Sequence, residues 1–434
     1  MLSRLHTLLV TLSLLTCSTA LTAADGDRGP LNRELPGWLT LAASARFRAE
    51  ALQGVGFKED DDRAYVLQRY RFSTEVRPAE WLRLFGEIQD SREAGSPRPG
   101  AAFKDVTDLR QAWFALGTEG GFWDLKVGRQ RMAFGSERIV GAGEWGNVPR
   151  VFDAARLGLH KGRDRVDVFS SSVVHGDTGP FDDHRVAGDN LHGVYGSLGS
   201  WFSATKIEPY LFMRTSPDFR GEDASLGRLR SWTQGVRAID SGTGPWGYET
   251  EVSLQRGTIG SDSLRTWAFT GQAQRRWRDR RFSPVAIAEF NFASADRTPG
   301  DGVIQTFDQI YPTNHGKYGI VDQVGRRNTR NVRAGLWLSP GEDLMLRAEG
   351  HSFWIASRYD ALYGAGGGVV VSRVQAGSDS TDVGREFDIT ADWKPSQHYE
   401  LGVQCGRLFP GQFLRRRSPG FPRSFYTVYL AVGI

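Results

Sequence analysis

Cysteine and long apolar runs are what this sequence most lacks. Only Cys17 and Cys405 occur among its 434 residues, which is too few for a disulfide framework. Past residue 24, no stretch approaches the roughly 20 apolar residues that a membrane-spanning helix needs. These absences exclude a disulfide-stapled scaffold and a bundle of transmembrane helices.

Lysine is also scarce, and this scarcity gives the positive charge one chemical character. Only seven of the 54 Lys and Arg residues are lysines, so all the others are arginines. A guanidinium stays protonated and offers a planar fork that matches carboxylate or phosphate oxygens. The net charge is only +4, and no long basic run indicates nucleic acid. We therefore predict no nucleic-acid partner.

Glycine and aromatic residues, in contrast, are plentiful. The chain contains 52 Gly, 25 Phe, 13 Trp and 12 Tyr. So many aromatic residues exclude a disordered chain, and their combination with glycine favours many short strands joined by turns. The composition predicts an all-β protein.

The N-terminus resembles a secretory signal peptide over residues 1–24. Arg4 supplies a short basic region, residues 8–15 an apolar region, and Ala20 or Ala24 a small residue at the cleavage site. Residues 25–37 then form a short periplasmic segment ahead of the first strand. The sequence thus predicts an exported protein whose folded part spans residues 38–434.

Apolar and polar residues alternate with a period of two from the first predicted strand to the last. Between residues 38 and 53 apolar residues occupy one face, while Arg46, Arg48 and Glu50 share the other. The final residues, 421–434, alternate in the same way and end on Ile434. This pattern is typical of a transmembrane barrel with an apolar outside and a polar inside, although a soluble sandwich gives it inverted.

Short turns alternate with long irregular stretches along the chain. Compact turns are predicted near Pro78 and at 120–121, 162–164, 242–245, 278–280, 340–342 and 395–397. Longer stretches are predicted at 54–62, 91–105, 134–149, 176–188, 217–227, 296–328, 359–382 and 409–421. The alternation predicts a single antiparallel outer-membrane β-barrel of about 18 strands, with short periplasmic turns and longer extracellular loops. Aromatic residues near the strand ends predict interfacial girdles: Trp38, Trp81, Trp123, Trp246, Trp393, Tyr399 and Tyr426.

Several blocks go beyond a generic barrel pattern. They are 128–141 (GRQRMAFGSERIVG), 145–147 (WGN), 150–157 (RVFDAARL), 306–322 (TFDQIYPTNHGKYGIVD) and 108–113 (DLRQAW). Together they resemble the signature of the alginate export family of porins. The resemblance implies an 18-stranded outer-membrane barrel in which an anionic polysaccharide or oligosaccharide diffuses through an electropositive pore. It also implies contact with outer-membrane lipids, the barrel assembly machinery and periplasmic export components.

Arginines are the predicted substrate-binding residues of this pore. Strand parity places eight in the lumen: Arg46, Arg48, Arg69, Arg71, Arg83, Arg156, Arg333 and Arg347. The motif match adds Arg129 and Arg150, although parity assigns Arg129 to the lipid face. Carboxylates such as Glu50, Glu75 and Glu289 share the inner faces, so any one arginine is as readily a brace of the wall as a binding group. Exchange of both Arg69 and Arg71 for Glu is expected to abolish or reverse an anion preference.

The stretch 296–328 is too long to be a simple connection. Its His315, Lys317, Tyr318 and Asp322 are predicted to fold inward and narrow the pore, and an exposed solvated loop is the alternative.

The sequence gives little support for a metal site or for catalysis. The eight histidines have no metal-ligand spacing, and no GxSxG turn occurs, so we predict no metal, no cofactor and no enzyme activity. Two rival functions remain on the same fold, an uptake porin for small anionic or sugar solutes and, less favoured, a barrel enzyme. The direction of transport does not follow from the sequence of a passive pore.

Overall fold

A computed structural model describes residues 31–434, apart from 96–100, 119, 222–225, 241 and 243. The predicted signal peptide lies outside the described residues, as does the first part of the predicted periplasmic segment. Within the described ranges, no helix is long and apolar enough to cross a membrane.

Eighteen long strands, labelled β1 to β18 in chain order, make up the structure. They are β1 Leu39–Gln53, β2 Arg63–Ala79, β3 Leu82–Ala94, β4 Asp105–Leu116, β5 Trp123–Gln130, β6 Phe152–Lys161, β7 Asp164–His175, β8 His184–Leu198, β9 Thr205–Arg220, β10 Leu226–Asp240, β11 Trp246–Ile259, β12 Asp262–Arg276, β13 Val285–Ala293, β14 Thr329–Leu338, β15 Leu344–Trp354, β16 Asp382–Ser396, β17 Tyr399–Pro410 and β18 Arg423–Gly433. The connections contain the short strands Val303–Ile304, Leu362–Tyr363 and Val369–Val371, a 3-10 turn at Val55–Phe57 and one helix, Gln412–Arg417.

The strands close into a single antiparallel barrel. Each pairs with its neighbours in sequence, and β18 returns to pair with β1 from Ser44↔Gly433 to Gln53↔Ser424. Because every strand has two partners, the barrel leaves no open edge, which is the condition for a sheet to span a membrane. The predicted all-β antiparallel barrel of about 18 strands is confirmed.

The register also confirms the predicted division into two faces. Arg46 lies opposite Arg69, and Ser44 lies opposite Arg71, so these side chains share the inner face. The residues between them, such as Tyr70 and Phe72, are exposed outward. Polar side chains therefore fill the lumen and apolar ones cover the outside, because alternate residues of a strand point to opposite faces.

The connections at the two ends of the barrel differ. One end, here called the turn end, has short links at residues 80–81, 162–163 and 397–398. The other, the loop end, carries the long connections 131–151, 294–328 and 355–381. Its exception is the tight link at residues 260–261 between β11 and β12, where Gly260 has a φ of 58° that favours glycine. Sequence analysis missed this turn, although the turn residues Gly260, Ser261 and Asp262 mark it.

Exposed tryptophans gather at the turn end. Trp38, Trp81, Trp123, Trp246 and Trp393 all lie at or beside the ends of strands there, and each is exposed. Amphipathic rings in this position suit the boundary between lipid and water. Tyr426, also predicted to join a girdle, lies away from this end in the middle of β18.

Cys405 faces outward, because its register partners Ile389 and Tyr426 belong to the outer faces of β16 and β18. A membrane-impermeant thiol reagent that passes through the pore should therefore leave Cys405 unmodified in intact cells. In a Cys405→Ala background, Gln404→Cys should react, because Gln404 lies on the inner face and hydrogen bonds to His315. Equal labelling of both positions would contradict the register.

Candidate functional site

The connection 131–151 folds into the lumen and is held there by arginines of β1 and β2. Arg46 donates hydrogen bonds to the carbonyl oxygens of Glu144, Trp145 and Gly146 at 3.1, 3.2 and 2.9 Å. Arg69 donates to the same Glu144 and Gly146 carbonyls at 3.2 and 2.9 Å, and Arg48 donates to the Trp145 carbonyl. Strand arginines thus satisfy the backbone acceptors of a segment that lies far from them in sequence.

The Glu144 carboxylate is the centre of this arrangement. It pairs with Arg71 at 3.0 Å and Arg131 at 2.9 Å, and also with Arg110. Burial alone would raise the pKa of Glu144, but the charges of Arg110, Arg71 and the neighbouring arginines hold it well below its ordinary value. Glu144 is therefore ionised at neutral pH. We call Glu144, Trp145 and Gly146 with the arginines that bind them the Glu144 hub.

The hub changes the role of three predicted pore residues. Arg46, Arg48 and Arg69 are only 7, 3 and 4% exposed. They face the lumen, as predicted, but the inner connection covers them, so they do not form the free surface of the passage. Exchange of Arg69 and Arg71 for Glu would disturb this connection as well as the charge, so that pair is a poor test of selectivity.

Apolar side chains hold the rest of the connection against the opposite wall. Phe134 stacks on Phe169 of β7 and Tyr195 of β8, with ring centroids 5.2 and 4.8 Å apart, and lies 5.9 Å from Phe212 of β9. These rings belong to a buried cluster inside the barrel. The connection therefore reaches from β1 and β2 to β9 across the lumen, fixed by polar contacts at one end and apolar contacts at the other.

The connection 294–328 also lies inside the barrel and joins the first. Tyr311 and Val140 form a β-bridge, with the Gly141 amide donating to the Tyr311 carbonyl at 2.8 Å. Arg150 donates to the Gly141 and Tyr311 carbonyls, both at 2.9 Å. Burial lowers the pKa of Arg150 to about 10, so it stays charged at neutral pH. Trp145 stacks on His315 with centroids 4.1 Å apart.

Ion pairs and backbone bonds attach this second connection to the wall. Asp308 pairs with Arg214 of β9 at 2.6 Å, and Arg326 pairs with Glu251 of β11 at 3.1 Å. On the other side, the Val321 amide donates to Glu386 of β16 at 2.8 Å. The two connections therefore form one inner barrier that touches the wall on several sides, and solutes must pass beside it.

The structure brings the four predicted loop residues into the lumen. His315 bonds to Asp322 at 2.8 Å and to Gln404 of β17 at 3.1 Å. Tyr318 is fully buried. Lys317 is partly exposed, and within the described ranges no carboxylate lies at ion-pair distance from its ammonium. Lys317 is the member of this set whose charge is available to a solute.

The charge of Lys317 is expected to make the anion preference of the channel depend on pH. Burial, with the charge of Arg138 beside it, lowers the pKa of Lys317 to about 8, while Glu137, Glu249 and Glu289 act in the opposite direction. Lys317 is thus charged at neutral pH and loses its charge as the pH rises through 8. We expect the anion preference in planar bilayers to fall between about pH 7 and 9.

Variants at position 317 separate this effect from other titrations. Lys317→Arg keeps its charge over the range and should reduce the pH step while preserving the preference. Lys317→Met should show the weaker preference throughout. A step of wild-type size in Lys317→Met would assign it to another group.

A row of cations crosses the lumen wall near the turn end. Arg83 lies opposite Ala115, Ala115 opposite Lys126, and Lys126 opposite Arg156, on the inner faces of β3 to β6. Lys126 lies over the Trp113 ring at 3.7 Å, and Arg156 pairs with Asp167 at 2.8 Å. We call Arg83, Lys126 and Arg156 the basic row.

Two of its members lack a carboxylate partner. In the part of the chain that the structure describes, neither Arg83 nor Lys126 has an acidic group within ion-pair distance. Both are partly exposed. The small residue Ala115 lies between them in the strand register. Arg83 is the predicted arginine in this row that is free to meet a solute, and Lys126 was not among the predicted residues.

The remaining predicted arginines are distributed differently. Arg333 bonds to Glu349 at 2.5 Å, and Arg347 pairs with Asp392, so both face the lumen as braces of the wall. Arg129 does not line the lumen. Its register partner and ion-pair partner is Asp153 on the outer face of β6, at 2.9 Å, and the pair neutralises the charge close to the loop end, where the lipid-facing strand stops.

Sequence analysis missed the residues that hold the inner barrier. Glu144, Arg110, Arg138, Asp308 and Arg326 all make ion pairs inside the barrel, and four of them lie in stretches interpreted as irregular connections. One signal in the sequence could have found them. The residues that resemble the family signature are concentrated in 128–157 and 306–322, and an exposed loop does not require so many specific residues.

Comparison with known proteins agrees with this architecture. The sequence profile of a family described as alginate export matches residues 37–422. No curated protein sequence matches the chain. Pseudomonas aeruginosa OccK8 (OprE) is similar in structure, with a TM-score of 0.60, 10% identity, and coverage of 91% of this chain and 98% of that one. A BenF-like porin from Pseudomonas fluorescens Pf-5 gives a TM-score of 0.60, 9% identity and coverage of 91% and 99%. P. aeruginosa OccK11 (OpdR) gives a TM-score of 0.56 and 14% identity, with coverage of 91% of this chain and 96% of that one. At these identities the solved structures establish the barrel fold alone.

Proposed function

This chain belongs to the alginate export family of bacterial outer-membrane proteins, and from that membership we propose that it is a passive, anion-selective channel for an alginate-like polyuronate. The polymer carries one carboxylate on each sugar, so an electropositive lumen favours its entry. Fixed charges in a narrow passage set a local potential that the net charge of the chain does not reveal.

The basic row is the observation that carries this proposal. Most lumen arginines are used within the protein, whereas Arg83 and Lys126 have no carboxylate partner among the described residues. A passing carboxylate would form charge-assisted hydrogen bonds with these heads and offset part of the hydration it sheds. Lys317 offers a further cation on the inner barrier.

Weak binding at each position is as important as attraction. A polymer held tightly at one site would block the channel rather than traverse it. Arg156 is paired with Asp167, and Lys126 lies over the Trp113 ring. These contacts weaken the attraction that either cation exerts on a passing carboxylate. The arrangement suits repeated contact with successive carboxylates.

The orientation and partners belong to the same proposal. The turn end would face the periplasm and receive polymer from export components, while the long connections would face the exterior. The exposed tryptophans of the turn end would lie among outer-membrane lipids. The strand β18, with alternating apolar residues up to Leu430 and Val432, would be the element that the barrel assembly machinery recognises.

Flux through proteoliposomes tests the proposal. Purified full-length protein should release an entrapped uronate oligomer faster than a neutral oligosaccharide of the same length. A parallel experiment with entrapped uronate monomer tests the alternative, a porin for small solutes. Passage of the monomer with exclusion of oligomers would support uptake of small anions instead. Equal rates for charged and neutral oligomers would contradict an electropositive selectivity.

A further inference from the structure

Three aspartates converge near the loop end, beside the inner barrier. Asp105 and Asp108 lie on β4, and Asp183 ends the connection between β7 and β8. One carboxylate oxygen from each lies within 4.8 Å of the other two. Like charges so close together repel unless a proton or a cation lies among them.

Asp105 gives an independent sign of a missing ligand. Asp105 is 3% exposed, and its Oδ1 atom accepts no hydrogen bond from the residues that the structure describes. The other two are only partly satisfied by backbone amides. Asp108 accepts from Asp182 at 3.1 Å and from its neighbour Leu109 at 3.1 Å, and Asp183 accepts from Asp177 at 3.1 Å. A buried oxygen without a donor is rare and costly, so it calls for a partner.

Cations of the chain itself do not supply that partner within the described ranges. No lysine or arginine there lies at ion-pair distance from the three carboxylates. Arg129 is near Asp183 but pairs with Asp153.

We propose that Asp105, Asp108 and Asp183 form a calcium site on the rim of the barrel. Calcium takes oxygen ligands at about 2.3–2.6 Å, so oxygens bound to one ion lie within about 5 Å of each other, as they do here. Three carboxylates are hard ligands that suit calcium better than a softer transition metal. Water would complete the coordination.

The site would tie together two connections that are not neighbours in the barrel. Asp105 follows the connection between β3 and β4, whereas Asp183 belongs to that between β7 and β8. Between them β5 and β6 are short, because connection 131–151 turns inward there. Asn147 of that connection bonds to the Phe103 carbonyl at 2.8 Å, and Gly176 lies beside Ala101 and Val148. A bound cation would thus steady the entrance of the inner barrier.

Calcium binding to the full-length protein, refolded without lipopolysaccharide in detergent, tests this site. After removal of metal with a chelator, calorimetric titration should show one site with a Kd of about 10⁻⁴ to 10⁻³ M. Calcium well above the Kd should raise the melting temperature by about 2–4 °C. Asp105→Asn and Asp183→Asn should each weaken binding at least tenfold, whereas Asp60→Asn, at an exposed position on the same rim, should bind as wild type does.

The apo proteins guard against a folding artefact. Without calcium, Asp105→Asn should melt at or above the wild-type temperature, because it removes repulsion, and calcium should no longer stabilise it. Absence of binding to the wild type would overturn the proposal. Unchanged binding by the Asp105→Asn, Asp183→Asn double variant would do so as well. Neither result would bear on anion selectivity, which rests on other residues.

Discussion

Replacing Arg83 and Lys126 together by glutamate is expected to abolish or reverse the anion preference of the channel and to weaken block by uronate oligomers by about tenfold or more. The exchange turns two cations that have no carboxylate partner in the described part of the chain into two anions at one level of the lumen. Each lost charge-assisted hydrogen bond is worth about 1.5–3 kcal/mol where water is largely excluded. Single exchanges should do less, because the other cation and Arg156 remain. Reversal potentials in planar bilayers measure the preference.

A matched control uses the same charge change at the same end of the barrel. Lys161 and Arg163 are exposed at the turn between β6 and β7, outside the lumen. Their double exchange for glutamate should leave the preference nearly unchanged, since charges beyond a Debye length of about 10 Å at 0.1 M salt are screened. If both double variants shifted the reversal potential equally, the basic row would have no special role.

Glu144→Gln is expected to loosen the inner barrier and lower the stability of the barrel. The exchange keeps the shape of the side chain but leaves Arg71, Arg110 and Arg131 without their shared counter-ion. Breaking buried ion pairs costs about 3–5 kcal/mol, and the partial exposure of Glu144 reduces this to about 2–3 kcal/mol. Urea unfolding measures the loss, and single-channel recordings should show larger and less steady conductance.

The pH dependence of the stability difference between wild type and Glu144→Gln tests whether the lost negative charge is its cause. Because the folded-state pKa of Glu144 is lowered below its ordinary 4.5, its contribution is present above that pH and is lost as the pH falls through the folded-state value. The variant should therefore differ from wild type down to about pH 4.5 and converge only in stronger acid. Glu342→Gln, at an exposed turn, should change neither property. A steady channel of normal stability in Glu144→Gln would show that the hub does not hold the connection.

The barrel itself could be predicted because its physical cause is local. Alternation of apolar and polar residues is written into each strand, and Arg46 and Arg69 lie on the face that parity assigned. Turn residues gave a strand number of about 18, although the connections at 199–204 and 260–261 were missed. Parity also placed Arg129 outward, and here the register favours local pattern over the motif match.

The inner barrier could not be predicted, because its contacts join distant parts of the chain. Nothing near Glu144 indicates that Arg71 and Arg110 will meet it, and nothing near Tyr311 indicates a bridge to Val140. The alternation that placed arginines inside also could not distinguish a covered guanidinium from a free one. Arg48 and Arg83 look alike in sequence, yet one binds the Trp145 carbonyl and the other has no acidic partner in the described part of the chain.

The reversal potential of the wild-type channel in a gradient of potassium chloride tests the central claim most directly. At about 0.1 M salt or below, where screening is weakest, the potential should have the sign of a channel that prefers chloride. The preference should shrink as salt is raised. A preference for potassium at low salt would contradict the claim that free cations of the lumen govern what this channel passes.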